Sequence, residues 1–299
     1  MELRKINHVI LHSDPHPHRT LVQQADNDER LIALWLHGRS KHTQRYYYSD
    51  TKRFFEFANK PLKSIILVDL QDFADSLDEQ NLAPGSKRRI LASIKSLISF
   101  AHKLGYLPFD TSRPLILPNS KDTLSERILS EAEVQKIIGM EINPRNQLLM
   151  RVLYAGGIRV SELCRLVWKD LQERKDAGQM TIFGKGQKTN IVLIPNPLWN
   201  DLMYFRNNVL ESAPLFKSRK GGHLHPSQIL RIVKTAAKRA GITKAVSPHW
   251  FRHAHASHAI AHGADLSLIQ ATLNHSSIAT TGKYLHARPN DCSSRYLTV

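Results

Sequence analysis

A proline-rich segment, about a third of the way along the chain, limits how this sequence can fold. Residues Leu107 to Ser120 contain Pro108, Pro114 and Pro118. Proline lacks an amide hydrogen and disfavours helix at the residue before it, so a continuous helix cannot cross this segment. We therefore expect two helical units joined by a linker. A length of 299 residues suits this division, since domains commonly hold roughly 150 residues.

The sequence before the linker predicts a small helical bundle behind an irregular arm. Residues 1–19 show no hydrophobic period, and we interpret their His12, His16 and His18 as part of a solvated tail rather than a metal site. In residues 20–118 the apolar residues recur at helical spacing. This pattern predicts about four helices, around Leu31–Trp35 and at Thr43–Asn59, Leu62–Leu77 and Lys87–Leu104.

The sequence after the linker, residues 119–299, predicts further helices and a short antiparallel pair of strands. The strand-like runs Met180–Phe183 and Asn190–Ile194 flank the turn Gly184–Lys188, which is the pattern of a β-hairpin. The expected fold class is therefore mainly α with a small β-hairpin or sheet. The helices are predicted at Glu131–Met140, Asn143–Ala155, Pro197–Val209, Ser227–Ala240, Trp250–His262 and Ser267–Leu273.

The charge of the chain favours a polyanionic partner. The sequence has 42 Lys and Arg against 26 Asp and Glu, a net charge of +16. Between Ser212 and Ala264 there are nine Lys or Arg residues and no acidic residue, whereas a solvated basic face would normally mix both signs. Nucleic acid is the commonest partner for such a surplus. The alternatives are a generic basic surface and an anionic membrane, although a membrane usually meets a compact basic helix or a polybasic tail.

Other features disfavour several classes of protein. No apolar run in the sequence approaches the ~20 residues that a bilayer span needs, and the first residues lack the apolar stretch of a signal peptide. The two cysteines, Cys164 and Cys292, cannot form a disulfide framework or a CxxC metal site. A transporter, a secreted disulfide protein and a structural zinc protein are therefore disfavoured, and we expect a protein of the reducing cytoplasm.

Two segments of the C-terminal part carry a basic group beside glycines. Arg159 follows Gly156 and Gly157 and precedes a helix start, where its guanidinium and the nearby amides suit a phosphate. Alternatively, Arg159 forms an ion pair with Glu162 three residues later. Lys185 lies at the glycine-flanked tip of the hairpin, which could close over a ligand or remain a plain exposed loop.

Three further groups are candidates on weaker grounds. His249 and Arg252 are three residues apart and share one face of a predicted helix. His275 lies beside a predicted helix N-terminus after Leu273, and Tyr284 lies near the carboxyl end. Taken alone, each of these last two residues fits an ordinary structural role.

A metal site is another interpretation of the same region. His255, His258 and His262 share a helical face, and Asp265 lies nearby. The segment has no HExxH motif, however, and the helix contains no acid to serve as ligand or base. We therefore predict no metal ligands here.

Six of these residues could act together on a phosphodiester. Five of them suit a phosphate, and the sixth is a tyrosine. Two guanidinium groups can hold the non-bridging oxygens of a phosphodiester and neutralise the charge that grows in a pentacoordinate transition state. A tyrosine, with an ordinary pKa of ~10, becomes a nucleophile where a positive cluster favours the phenolate. A lysine or histidine can protonate the leaving 5′-hydroxyl. The six residues are Arg159, Lys185, His249, Arg252, His275 and Tyr284.

This ordered set resembles the tyrosine recombinases of the phage-integrase family, and most closely the Xer-like recombinases. The resemblance extends over about residues 20–290. Each motif is weak by itself, whereas their order and spacing together are specific. The strongest segments are Tyr154–Leu163, Gly184–Lys188, Pro248–Ala254, His262–Leu266 and Leu273–Tyr284.

The resemblance implies which groups hold the phosphate. It makes Arg159 the first catalytic arginine and Arg252 the second, with Glu162 as the acidic residue that supports the first. His275 would hydrogen-bond the scissile phosphate. The family usually has glycine before this histidine, where the chain has Asn274. Asparagine tolerates left-handed backbone better than most residues, so we expect the turn to be kept.

The resemblance also implies the chemical step. Tyr284 would attack the phosphorus and form a 3′-phosphotyrosyl link to DNA. Lys185 would be the general acid for the leaving 5′-oxygen, and His249 would act in proton transfer. No metal, cofactor or ATP is implied, and the sequence has no GxxxxGK[ST] loop.

For the whole chain, the resemblance implies an arm at residues 1–19, a helical SAM-like core-binding domain at 20–118 and a mixed α/β catalytic domain at 119–299, with the two domains clamped around DNA. Four protomers, alone or with a second recombinase, would bring together two double-stranded sites and recombine them through a Holliday junction. The segment after Tyr284 would dock on a neighbouring protomer. The implied location is the cytoplasm, on the nucleoid, with no membrane partner.

Two other functions remain open from the sequence. One is a recombinase-like DNA-binding protein that no longer cuts, and the other is a nicking-closing enzyme similar to type IB topoisomerases. The motifs also leave open the target sequence and the choice between chromosome-dimer resolution and movement of a mobile element.

Overall fold

The computed structural model describes residues 25–119, 123–184 and 189–286. The chain divides into two compact units, Met1–Lys121 and Asp122–Val299. The described part is mainly helical with one small sheet, so the predicted fold class is confirmed. Across these residues, no helix combines the length and apolar character needed to cross a membrane. The arm predicted at residues 1–19 lies outside the described ranges.

Within residues 25–119, the first unit has four α-helices around one apolar core, as the hydrophobic spacing predicted. Trp35, Phe54, Phe73 and Leu97 come from the four helices in turn and are buried in this core. The helices are α1 (Asp28–Leu36), α2 (Lys41–Ala58), α3 (Leu67–Glu79) and α4 (Pro84–Lys103).

The segment predicted as a single helix, Leu62–Leu77, is divided in the structure. A 3-10 turn occupies Leu62–Ser64, and α3 starts at Leu67. The backbone amide of Ile66 donates to the carboxylate of Asp69 at 3.0 Å. This side-chain cap satisfies an amide at the helix start, and it begins a new helix instead of continuing the turn.

The proline-rich segment ends the first helical series, and its carbonyl groups contact α4. The ammonium of Lys95 donates to the carbonyl oxygens of Ser112 and Leu115, at 2.5 and 2.7 Å. The guanidinium of Arg88 donates to the carbonyl of Pro118 at 3.0 Å. Backbone groups that no helix uses find partners in this way, so this stretch is fixed to the first unit.

The second unit combines helices with a three-stranded sheet. In the described part of this unit, 3-10 turns occupy Ser125–Arg127, before the first helix, and Trp168–Asp170, before the first strand. The strands are β1 (Leu171–Arg174), β2 (Ala177–Phe183) and β3 (Thr189–Pro195). The helices are α5 (Glu131–Gly139), α6 (Pro144–Gly156), α7 (Val160–Leu163), α8 (Asn196–Arg206), α9 (Pro226–Arg239), α10 (Pro248–Ala261), α11 (Leu266–Leu273) and α12 (Ile278–His286).

The sheet is antiparallel in the order β1-β2-β3, and Met180 pairs with both Leu171 and Val192. The predicted hairpin corresponds to β2 and β3, while β1 is an additional strand. Only Leu171 of β1 is buried, so this strand lacks the alternation of apolar residues that identifies a half-buried strand.

Helix α8 is shorter than predicted. It ends at Arg206 instead of Val209, because Asn207 and Asn208 have left-handed backbone conformations, with φ of 36° and 58°. Asparagine adopts this region more readily than most residues, and two such residues in succession cannot continue a right-handed helix.

Among the described residues, two apolar clusters organise the second unit. The larger one contains Leu149, Leu153, Val233 and Phe251 and packs α6, α9 and α10 with the sheet. The smaller cluster joins α10, α11 and α12 through Ala256, Ile260, Ile269, Leu273 and Tyr284. Burial in the smaller cluster fixes the position of the last described helix.

Candidate active site

Helix α10 carries two of the predicted site residues, His249 and Arg252. Arg252 is only 5% exposed. Its Nη1 donates to the carbonyl oxygen of Gly157 at 2.6 Å, and its Nη2 donates to that of Leu273 at 2.5 Å. A guanidinium has several N–H donors in a planar fork, and the two that are bound to the chain hold this fork in one orientation.

Gly157 is required where it lies. It ends α6 with a φ of +57°. A Cβ atom at this position would lie 2.7 Å from Cδ2 of His255 and 2.8 Å from Cδ2 of Leu273. Glycine therefore provides both the left-handed conformation and the space, and its carbonyl can then reach Arg252.

Arg159 lies immediately before α7 and two residues after Gly157. Its backbone amide and its Nη1 donate to the two carboxylate oxygens of Glu162, at 2.7 and 2.9 Å. Its Nη2 donates to the carbonyl of Asn274 at 3.4 Å. The Glu162 side chain is 8% exposed, whereas that of Arg159 is 36% exposed. The ion pair considered from the sequence is present, and the guanidinium stays partly open to solvent.

The carboxyl end of α11 supplies acceptors to both arginines. Asn274 ends this helix in the left-handed region, with φ 49° and ψ 51°, so the expectation that asparagine keeps the turn is confirmed. The last carbonyls of a helix have no partner within it and carry partial negative charge. Here the carbonyls of Leu273 and Asn274 accept from Arg252 and Arg159, which brings the two guanidinium groups together.

His275 follows this turn. It does not lie at a helix N-terminus as predicted, because α12 begins only at Ile278. Its Nδ1 lies 2.9 Å from Oγ1 of the buried Thr281. Burial, together with the charges of Arg252 and Arg159, lowers the pKa of His275 to about 4. The imidazole is therefore neutral at neutral pH.

His249 is the other predicted histidine. It is exposed, in the first turn of α10. Desolvation, followed by the charges of Arg252 and Arg159, lowers its pKa. His249 thus lies within the electrostatic reach of both guanidinium groups while remaining open to solvent.

Tyr284 lies on α12 and is 4% exposed. Its hydroxyl is 2.8 Å from Nδ1 of His253. Burial raises the pKa of Tyr284, and the positive charge of Arg252 acts in the opposite direction. The structure therefore places the phenol in the field of a guanidinium.

The sequence analysis did not select His253, although this residue contacts Tyr284. The pKa of His253 is lowered to about 4, first by burial and then by the charges of His249 and Arg252. One sequence signal was available, because His253 lies four residues after His249 and shares its helical face.

Five of the six predicted residues are thus brought to one place, joined by contacts or by electrostatic interaction. They are Arg159, His249, Arg252, His275 and Tyr284. The sixth, Lys185, lies in the hairpin turn outside the described residues. Glu162 contacts Arg159, as a supporting acid would.

The histidines considered as metal ligands each have a protein partner. Nδ1 of His255 donates to the carbonyl of Tyr154 at 2.8 Å, and Nδ1 of His258 lies 2.9 Å from the hydroxyl of the same tyrosine. His262 pairs with Glu131 at 3.0 Å. In the described part of the chain, no group of three His, Cys, Asp or Glu side chains is arranged to hold a metal ion.

A second basic surface lies elsewhere in this unit. It is a groove of about 1080 Å³ beside α9, and within the described residues Glu141 is the single acidic side chain that lines it. Glu141 is itself paired with Arg239 at 3.0 Å. The remaining basic side chains of the groove are Arg145, Arg219, Lys220, His223, His225 and Arg231.

Known proteins share both the sequence pattern and the fold. Residues 127–291 match the phage integrase family, and residues 31–105 match the N-terminal SAM-like domain of phage integrases. The chain is 31% identical over 270 residues to tyrosine recombinase XerC of Myxococcus xanthus, covering 83% of this chain and 87% of the relative. It is 31% identical over 282 residues to tyrosine recombinase XerD of Pseudomonas putida, covering 87% and 91%. A lambda integrase tetramer bound to a Holliday junction has the same fold, with a TM-score of 0.68, 16% identity and coverage of 88% and 83%.

The chain therefore belongs to the phage integrase family. Within that family it is a Xer-like tyrosine recombinase, as the ordered motifs indicated.

Proposed function

We propose that this recombinase cuts and rejoins double-stranded DNA at specific sites, with Tyr284 as the nucleophile. One observation carries the proposal: the buried phenol lies in the field of Arg252, next to a second guanidinium, that of Arg159. A positive cluster around a phenol lowers the cost of the phenolate and attracts the phosphate that it must attack.

The two arginines hold the non-bridging oxygens of the scissile phosphodiester. Their forks are already fixed by carbonyls at the end of α11, so little reorganisation is needed when the phosphate gains charge in the transition state. His275 donates a hydrogen bond to the same phosphate. His249, which is exposed to solvent, takes part in proton transfer. Glu162 keeps Arg159 oriented.

The cleavage step exchanges one ester for another. A bond forms between Oη of Tyr284 and the phosphorus while the phenol O–H bond breaks and its proton passes to a base, and the bond from phosphorus to the 5′-oxygen breaks. The leaving oxygen takes a proton from Lys185, a role supported by the resemblance of the glycine-flanked turn. The energy of the phosphodiester is kept in the 3′-phosphotyrosyl link, so rejoining by a 5′-hydroxyl needs no ATP.

Membership of this family also supports a proposal for how the protein assembles on DNA. We propose that residues 20–118 bind the core of the DNA site, that residues 119–299 contain the catalytic centre, and that four protomers act on two sites through a Holliday junction. The groove beside α9 offers a cationic surface for phosphates. Since the substrate is DNA, the protein acts on the nucleoid in the cytoplasm, alone or with a second recombinase.

Covalent trapping tests this function. A library of random duplexes is incubated with the wild type, denatured, and the DNA that stays attached to protein is sequenced. The recovered site is then rebuilt as a nicked suicide duplex. We expect adducts with the wild type and none with Tyr284→Phe, which removes only the hydroxyl and should still bind the duplex.

Each other outcome indicates a different function. A wild type that binds DNA and never forms an adduct would support the non-cleaving interpretation. Adducts without sequence preference, together with relaxation of supercoiled plasmid, would indicate a nicking-closing enzyme.

A further inference from the structure

The hydroxyl of Tyr284 has a single hydrogen-bond partner among the described residues, Nδ1 of His253 at 2.8 Å. The two rings are 5.8 Å apart between centroids, with an angle of 46° between their planes. Within the same ranges, no carboxylate contacts this hydroxyl. A proton that leaves the phenol oxygen therefore has one nitrogen directly in front of it.

The other two histidines near the arginines are placed differently. Nδ1 of His275 is directed to Oγ1 of Thr281. His249 is exposed, and within the described part of the chain it makes no hydrogen bond to Tyr284. Of the three imidazoles in this cluster, His253 is the one that touches the attacking oxygen.

We propose that His253 is the general base of the cleavage step. As the bond between Oη of Tyr284 and the phosphorus forms, the O–H bond of the phenol breaks and the proton moves to Nδ1 of His253, giving an imidazolium. The 5′-oxygen leaves with a proton from the general acid proposed above, Lys185. In rejoining, the imidazolium returns the proton to the departing phenol oxygen, as microscopic reversibility requires.

The charges around His253 fit this assignment. The groups that face it are His249 and Arg252 on its own helix, Arg127 from the turn before α5, and His275 from the segment before α12. Burial, and after it the charges of these groups, lowers the pKa of His253, so the free protein keeps it neutral and able to accept a proton. An incoming phosphodiester brings negative charge to the arginines, and this favours the imidazolium.

Two substitutions of His253 test the base, and one control accompanies them. His253→Ala removes the contact, whereas His253→Asn keeps a hydrogen-bonding amide near the position of Nδ1 and is a very poor base. The control is His258→Asn on the same helix, because Nδ1 of His258 also lies 2.9 Å from a tyrosine hydroxyl, that of Tyr154.

The measurement is the single-turnover rate of adduct formation on the suicide duplex at saturating protein. We expect both His253 variants to be slower by about 10²- to 10⁴-fold, the usual contribution of a general base. Their Kd for the duplex and their melting temperatures should match those of the wild type, and the rate of His258→Asn should be unchanged. If His253→Ala does not fold, His253→Asn decides, and a wild-type rate for it would overturn the proposal.

Chemical rescue separates proton transfer from a structural role. Imidazoles of graded pKa are added to His253→Ala, and we expect the recovered rate to rise with the pKa of the added base. Recovery independent of that pKa would mean that the added ring only fills space, and the proposal would fail.

This inference rests on the proposed function, and the two fail in different ways. The absence of any wild-type adduct would contradict the proposed function. A wild type that forms adducts while His253→Asn forms them equally fast would contradict only the assignment of the base.

Discussion

Two histidines beside the guanidinium pair are kept neutral by their surroundings. The pKa values of His253 and His275 are lowered to about 4, because burial, reinforced by neighbouring positive groups, opposes protonation. Neutral imidazoles can exchange protons with a phenol or a phosphate without adding to the repulsion between Arg159 and Arg252. The same property makes the stability of the fold depend on pH.

We expect the free energy of unfolding to fall as the pH is lowered from about 6.5 to 4. Both histidines have folded-state pKa values of about 4, and the unfolded chain protonates them near 6.5, so between these limits the unfolded state binds more protons. The loss is at most about 1.4 kcal/mol per pH unit for each histidine, and less because both are partly exposed. Urea unfolding at pH 7, 6 and 5 measures it.

The double variant His253→Asn/His275→Asn isolates the two contributions, since other lowered histidines remain in it. Its unfolding free energy should vary less steeply with pH than that of the wild type. Equal slopes for the two proteins would contradict the prediction.

The contact that carries the proposed base could not be predicted from the sequence. His249 and Arg252 were identified because their spacing on one helix is a local property. His253 meets Tyr284 across 31 residues, and their meeting depends on how α12 packs against α10. In the same way, the ion pair of Arg159 with Glu162 follows from sequence spacing, whereas the carbonyl acceptors of both arginines depend on the turn after α11.

At the scale of single elements, that turn is the part of the site most sensitive to backbone conformation. Asn274 has a φ of 49°, and its carbonyl and that of Leu273 accept from the arginines. Asn274→Gly should keep the turn, because glycine adopts this region without strain. Asn274→Val should lose about 1–2 kcal/mol of stability, because a β-branched side chain is strained there, and it should also slow adduct formation as the carbonyls move. Urea unfolding and single-turnover cleavage measure the two effects.

Asn81 provides the matched control. It is exposed, lies in the first unit and has a similar φ of 52°. Asn81→Val should lose a comparable amount of stability without slowing the chemical step at saturating protein. If Asn274→Val cleaves at the wild-type rate, the turn does not position the arginines.

The other elements were predictable where a pattern is local and strong. Helices with regular apolar spacing, such as α4 and α9, lie close to their predicted positions. Strand β1 was missed because Leu171 is its one buried residue, and pairing with β2 rather than hydrophobic pattern makes it a strand. The division of Leu62–Leu77 was missed because it depends on one carboxylate cap, that of Asp69.

At the scale of the whole molecule, the excess of basic residues contributes to binding rather than to folding. Each unit has its own apolar core, so the excess of basic residues is not needed for folding. A net charge of +16 instead opposes compaction through self-repulsion and favours association with a polyanion. Part of that charge lines the groove beside α9, where Glu141 is paired with Arg239, and Arg219 and Arg231 have no ion pair among the described residues.

We therefore expect DNA binding to weaken steeply with salt, and the groove to account for part of the slope. Each phosphate that a basic side chain neutralises adds about 0.9 to the slope of log K against log salt. Replacing Arg219 and Arg231 together with glutamine should reduce the slope by about 1.8. Titrations of the recovered duplex at several salt concentrations measure it.

Arg206→Gln is the control, because Arg206 is paired with Glu211 at 3.5 Å and lies outside the groove. An unchanged slope in the double variant, with lower affinity at every salt concentration, would mean that these arginines do not contact phosphates and that their loss acts through the fold of the groove.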